Sequence, residues 1–127
     1  MNKKIVLTAL VFGALAIVLG AFGAHGLKKI LNTEQLSSFE VGVKYLMYHA
    51  LFLLFLGTTN FLAEIEKAIP FYLTVVGTLF FSGSIFLLTT SAVSGIDFKF
   101  VGIVTPVGGL LLILAWIWIF VKILKKK

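Results

Sequence analysis

Four apolar runs occupy the chain almost from end to end, Ile5 to Ala24, Tyr45 to Ala63, Ile69 to Val93 and Phe100 to Val121, and none contains a Lys, Asp or Glu. A helix rises about 1.5 Å per residue and the hydrocarbon core of a bilayer is ~30 Å thick, so about 20 such residues cross it. The runs therefore predict an all-α integral membrane four-helix bundle, one span per run. What is left over amounts to short tails, two tight connections and one longer connection from His25 to Lys44. That leaves room for a single transmembrane domain, residues 1–127, and for no separate catalytic unit.

The composition agrees: 60% of residues are hydrophobic, mean hydropathy is +1.11, and charge is confined to the ends and connections. The absence of Cys removes disulfides, thiolate metal sites, thiol nucleophiles and a lipoprotein anchor together. The net charge of +6 is carried by lysine alone. Lys3, Lys4, Lys125, Lys126 and Lys127 cluster at the termini, a membrane address and not a nucleic-acid surface, which needs a basic face. The N-terminal run also resembles a secretory signal, but its length and the bulky Phe22 three residues before a cleavage after Ala24 argue for a retained span.

An N-terminus on the inside places Lys3, Lys4, Lys67, Lys122 and the three C-terminal lysines inside, against Lys28, Lys29, Lys44 and Lys99 outside. The positive-inside rule then predicts both termini inside. In the first connection Asn32, Thr33, Ser37 and Ser38 offer N-cap side chains, Ser37 and Glu40 have capping-box spacing, and Leu36, Phe39 and Val43 recur at helical spacing, which predicts an amphipathic interfacial helix running into the second span. Glu40 and Lys44 are spaced for a helical ion pair. The connections Glu64 to Ala68 and Ser94 to Lys99 are short, so the spans should run up-down-up-down.

In lipid, small residues that let backbones approach mark helix contacts. Ala16, Gly20 and Ala24 form one such stripe on the first span, Ala9 and Gly13 a second; Thr74, Thr78 and Ser82 form one on the third; Gly83, Gly108 and Gly109 add to the set. Intramolecular packing and a homo-oligomer interface both account for them. Trp116 and Trp118, followed by lysines, predict the inner end of the fourth span.

Polar residues are rare enough inside the runs to be worth locating. Counted from the span midpoints, His25, Tyr45, Tyr48, His49, Ser82, Ser84, Thr105 and Pro106 gather toward the outer leaflet, where such groups face the bundle, find partners or mark a functional path. His25 also reads as an interfacial helix end beside Gly26. A ring at His49 needs a hydrogen-bonding partner, for which Ser82, Ser84 or Thr105 are the candidates; proton handling and ligand or metal contact are the alternatives. Two histidines without a carboxylate or Cys in the spans make a weak metal or haem signal, so neither metal nor cofactor is expected. Pro106 should kink the fourth helix or free one carbonyl, and Asn60 is the one amide in any span. Since every acid (Glu34, Glu40, Glu64, Glu66, Asp97) lies in a connection, no catalytic set stands out.

Four segments in register, GAFGAHGL at 20–27, YLMYHA at 45–50, FSGSIFLL at 81–88 and TPVGGLLLILAW at 105–116, resemble the YgdD-type family of small bacterial inner-membrane proteins, a domain-of-unknown-function family with small mitochondrial relatives. The resemblance covers essentially the whole chain and implies a four-helix protein of the bacterial plasma membrane with no established activity. The expected function is a non-enzymatic bundle binding a lipid, a quinone-like amphiphile or a membrane-protein partner through the polar cluster. A small homo-oligomeric transporter or channel subunit is the alternative, and a membrane enzyme or haem protein a third.

Overall fold

The computed structural model describes residues 1–97 and 99–126, with only the backbone of Ala92. Lys127, counted above among the lysines of one face, lies outside the described residues. Helix α1, Lys3–His25, opens with Asn2, whose side chain accepts the Ile5 N–H at 3.2 Å. After a 3₁₀ turn at Leu27–Lys29, α2 runs unbroken over Thr33–Thr58. Its capping box is Asn32 with Gln35, each side chain accepting the other's backbone N–H at 2.7 and 3.1 Å. Of the candidate caps Asn32 opens the helix, so the capping box is Asn32/Gln35 and not Ser37/Glu40, and with no proline in 33–58 the helix propagates through the connection into the span as expected. The amphipathic segment is thus the opening turns of α2 and not a separate element. Its Phe39 packs with Leu27 and Leu31. Among the described residues the ion pairs are Lys67–Glu64 and Lys126–Glu66, and Glu40–Lys44 is not one of them.

The second span also ends early. Thr59 is extended (φ −70°, ψ 149°), so α2 stops at Thr58, and Asn60 lies in the connection, exposed, rather than in a span. The third span begins with a 3₁₀ turn at Glu64–Lys67, continues as α3 over Ala68–Thr78, widens into a π turn at Leu79–Gly83 and resumes as α4, Ser84–Thr89. It breaks at Thr90 before the short α5, Ser91–Ser94, which closes on Gly95 at φ +74°. The fourth span is a 3₁₀ stretch, Lys99–Ile103, leading into α6, Val104–Leu124. Pro106 therefore sits in the first turn of α6, where its missing N–H costs nothing, and the strain of its ring against the preceding turn coincides with 3₁₀ winding. The disturbance expected of Pro106 thus falls at the start of α6, which runs on as one helix over Val104–Leu124.

All four spans are long and apolar enough to cross a membrane. They run up-down-up-down, so both termini and the Glu64–Lys67 turn share one end, the terminal face, while Leu27–Lys29 and the α5 region share the other, the far face. Close backbone packing joins α1 to α2, α2 to the third span, and the third span to α6, while α1 and α6 stay apart among the described residues. Helix α2 and the third span thus each pack closely against two neighbours. One shared core runs from Ile5, Ala9 and Ala16 through Leu46, Leu53 and Leu56 to Phe71, Ala115 and Ile119.

Close approach explains which small residues matter. Along α1 and α2, Val6 faces Gly57, Gly13 faces Ala50, Gly20 faces Val43 and Gly23 faces Phe39. Ala16 is buried, but Ala24 is exposed, so the first-span stripe turns off the contact face one turn early, with Gly23 taking the place expected of Ala24. At Gly108 a side chain would run into the Phe81 backbone nitrogen and, at 2.8 Å, the Gly77 carbonyl. Gly109 only touches the Phe81 ring, and a side chain at Gly83 would meet open space, so Gly83 is not a packing position. The third-span stripe is buried throughout, Thr74 at 0%, Thr78 at 1% and Ser82 at 1% exposure. Thr58, Thr89 and Thr90 bond their hydroxyls back onto their own helix, whereas those of Thr74 and Thr78 are buried without a partner among the described residues.

Two alanine substitutions separate contact from spacing. Gly108→Ala drives a methyl into backbone that cannot yield and should destabilise by about 2–3 kcal/mol or more. Gly83→Ala should stay within about 1 kcal/mol of the parent. Detergent-resistance melting curves read both, and equal stability of the two variants would contradict the packing described.

Candidate functional site

The α1–α2 register fixes a depth that hydropathy misplaces. With Gly13 opposite Ala50, His49 lies opposite Ala14, the middle residue of α1. His49 is therefore at mid-bundle, not one turn below the far face, because its helix starts at Thr33 and not at Tyr45. Helices α2 and α6 run in the same direction, and at this level they are bridged by side chains. His49 Nδ1 lies 2.8 Å from the Tyr45 carbonyl, and Trp116 Nε1 donates to His49 Nε2 at 3.1 Å. A carbonyl only accepts and an indole N–H only donates, so the two partners select the neutral imidazole carrying its proton on Nδ1.

Around this ring the walls are apolar and aromatic. Tyr45, His49, Phe81, Leu112 and Trp116 line a groove of about 390 Å³ that opens sideways between α2 and α6. The Tyr45 and Phe81 rings are 4.8 Å apart at its far-face end, and Trp116 packs on Phe52 at 4.5 Å. His49 is 4% exposed, while Tyr45 and Trp116 are 39% and 53% exposed. The groove thus offers one buried imidazole and two amphipathic rings facing what would be the hydrocarbon.

The hydroxyl residues bond elsewhere. Ser82, inside the π turn, donates to the Gly42 carbonyl at 2.7 Å, locking the third span to α2. Ser84 bonds the Phe81 carbonyl and the Thr105 hydroxyl, locking it to the fourth. None of the three partners His49, which pairs with Trp116 instead, a partner concealed by the expectation that Trp116 marks the inner end of the fourth span. Tyr48 is exposed and lines a neighbouring groove with Phe55 and Ile119, and Pro106 is exposed at the start of α6. His25 is exposed at the end of α1, about 16 Å along the axis from the level of His49, so the two histidines do not meet. Among the described residues no group of three or more His, Asp or Glu is arranged to hold a metal.

A second polar constellation escaped the sequence reading altogether. Lys67 is 1% exposed, its ammonium bonded to the Thr59 carbonyl at 2.9 Å and to Glu64 at 3.0 Å. Asn2 donates its backbone N–H to Gly57 at 2.7 Å and its amide to Glu64 at 3.0 Å, and Lys4 reaches the Tyr72 hydroxyl at 2.9 Å. Glu66 accepts from the Ala63 N–H and from Lys126. The terminal face is thus a polar clasp in which every span takes part.

Comparison with known proteins bears on identity. A family model described as "Protein of unknown function (DUF423)" matches residues 19–109. A UPF0382 membrane protein of Staphylococcus aureus is 36% identical over 120 residues, covering 91% of this chain and 94% of that one. The UPF0382 membrane protein YwdK of Bacillus subtilis is 35% identical over 128 residues (97% and 98%), and a Haemophilus influenzae relative is 34% identical over 116 residues (91% and 89%). No solved structure matches the fold. The relatives' names say membrane protein and state no activity, in keeping with four apolar spans and a helical bundle. The chain belongs to this DUF423 family of small bacterial membrane proteins.

Proposed function

We propose that the protein is a non-enzymatic membrane bundle that holds one amphiphile, with a compact quinone-like head and an apolar tail, in the groove between α2 and α6. The observation that carries this is the groove itself, about 390 Å³ with an almost wholly apolar lining interrupted by His49 and Tyr45. Ligand sites of this size combine apolar walls with a few polar groups that orient the guest. The sideways opening lets a tail lie in the bilayer while the head enters between Tyr45 and Trp116. Both His49 nitrogens are engaged in the present arrangement, so the guest would meet the Tyr45 hydroxyl first. Rotation of the half-exposed Trp116 would then free His49 Nε2 to accept from a head-group hydroxyl. A transporter reading has less support, because Glu34, Glu40, Glu64, Glu66 and Asp97 all lie outside the apolar stretches and leave ion coupling without a carboxylate at mid-bundle.

Protein released gently from its own membrane and weighed by native mass spectrometry should carry one amphiphile per chain. Gly109→Val, which narrows the groove beside Phe81, and His49→Ala should each lower that bound fraction by about tenfold or more. Retention at the parental level in both variants would reduce the groove to packing.

The same reading places the protein in the bacterial plasma membrane with both termini in the cytoplasm. Its support is that Lys3, Lys4, Lys122, Lys125 and Lys126 crowd the terminal face, against Lys28, Lys29, Lys44 and Lys99 toward the far one. Glu34→Cys, in a chain otherwise free of cysteine, should react with an impermeant thiol reagent on intact cells. Labelling only after lysis would invert the topology.

A further inference from the structure

A second groove, on the opposite partner of α6, combines features the first lacks. It runs between α3 and the end of α6, lined by Leu73, Leu114, Ile117 and Trp118, with a volume of about 460 Å³. At its terminal-face end stand Lys122 and Lys125. Leu73 also lines a neighbouring apolar groove of about 350 Å³ with Val76 and Leu111. Two apolar tracks thus share one leucine, and the larger of them ends at a pair of ammonium groups.

Three properties name the occupant. From Leu114 to Lys125 the groove spans about 16 Å of helix, roughly one leaflet of a ~30 Å core, so a chain lying in it stays within a single leaflet. Charge supplies the head: Lys126 is taken up by Glu66, whereas Lys122 stands over the Trp118 ring at 5.0 Å and Lys125 is exposed at the helix end. Trp118 and Lys122 are together the aromatic and cationic pair suited to the interface, where an indole lies level with the headgroups and a lysine reaches toward them. The terminal face as a whole has lysines in excess of its two glutamates, and juxtamembrane lysines draw anionic lipid.

We infer that this α3–α6 groove is a binding site for a diacyl anionic phospholipid, its acyl chains on either side of Leu73 and its phosphate between Lys122 and Lys125. The site is distinct from the α2–α6 groove: the two share only Ile117 at their border, His49 and Tyr45 take no part in it, and it stands whether or not that groove holds an amphiphile.

The test uses the full chain in nanodiscs of equal phosphatidylglycerol and phosphatidylcholine, ejected for native mass spectrometry. The parent should retain one phosphatidylglycerol in preference to phosphatidylcholine, by about tenfold. The Lys122→Gln/Lys125→Gln double variant should lose that preference, and Lys28→Gln/Lys29→Gln, the same charge change at the far face, should keep it. Leu114→Trp, which fills this groove and not the α2–α6 one without altering charge, should lower retention of either lipid. An unchanged preference in the Lys122/Lys125 variant would overturn the site. So would an equal loss in the Lys28/Lys29 variant, which would mark a general charge effect, or full retention in Leu114→Trp. His49→Ala should leave all of these ratios as they are.

Discussion

The approach of the fourth span to the third at Gly108 governs much of the rest of the bundle. With no side chain there, the α6 backbone comes against the Gly77 carbonyl and the Phe81 nitrogen, and α6 commits to the third span. Because α6 is held on that side, it stands away from α2, and the gap becomes the groove bridged by His49 and Trp116. Widening of the third span at Leu79–Gly83 occurs at the same level. The π turn carries Phe81 onto Tyr45 and Ser82 onto Gly42, so one local irregularity closes the far-face end of the groove and ties three spans together.

How far these features could be read from the residues depends on the physics behind each. The four spans were legible because hydrocarbon solvation penalises every charge along about 20 residues, a signal no local detail can mask. The helix leading into the second span is legible from its N-cap candidates and apolar spacing, but a depth counted from the apolar run at Tyr45 misplaces its midpoint, because hydropathy is blind to how far the polar opening turns extend the helix. That error propagated, moving His49 from mid-bundle to the far leaflet and hiding Trp116 as its partner. The buried stripe of Thr74, Thr78 and Ser82 was foreseen from spacing alone, since every fourth residue shares a face. By contrast Gly83 and Gly108 look alike in sequence. Only the helix they face distinguishes open space from backbone.

Lys67 illustrates a different limit. As a lysine in a five-residue connection it reads as a topology marker, yet it is the most deeply buried cation of the described residues, held by the Thr59 carbonyl and by Glu64. A charge placed there is tolerated because two acceptors compensate its lost hydration, and removing either would leave the other strained against the bilayer edge. The polar chemistry of the bundle is thus divided in kind. Neutral donors and acceptors serve the middle, full charges serve the terminal face, and the two lipid-facing grooves differ accordingly, one with an imidazole at its centre and one with ammonium groups at its end.

The clasp at the terminal face also sets an order of events. Asn2 and Lys4 are made before Gly57, Glu64 and Tyr72, their partners, and Glu66 waits for Lys126, 60 residues further on. During synthesis α1 and α2 can zip together as a hairpin along the Gly13, Gly20 and Gly57 contacts, while its N-terminal end stays unfastened until the third span has entered. Completion of the bundle is therefore coupled to synthesis of the fourth span, and a product truncated before α6 would retain the hairpin yet leave the Glu66 carboxylate at the membrane edge without its lysine.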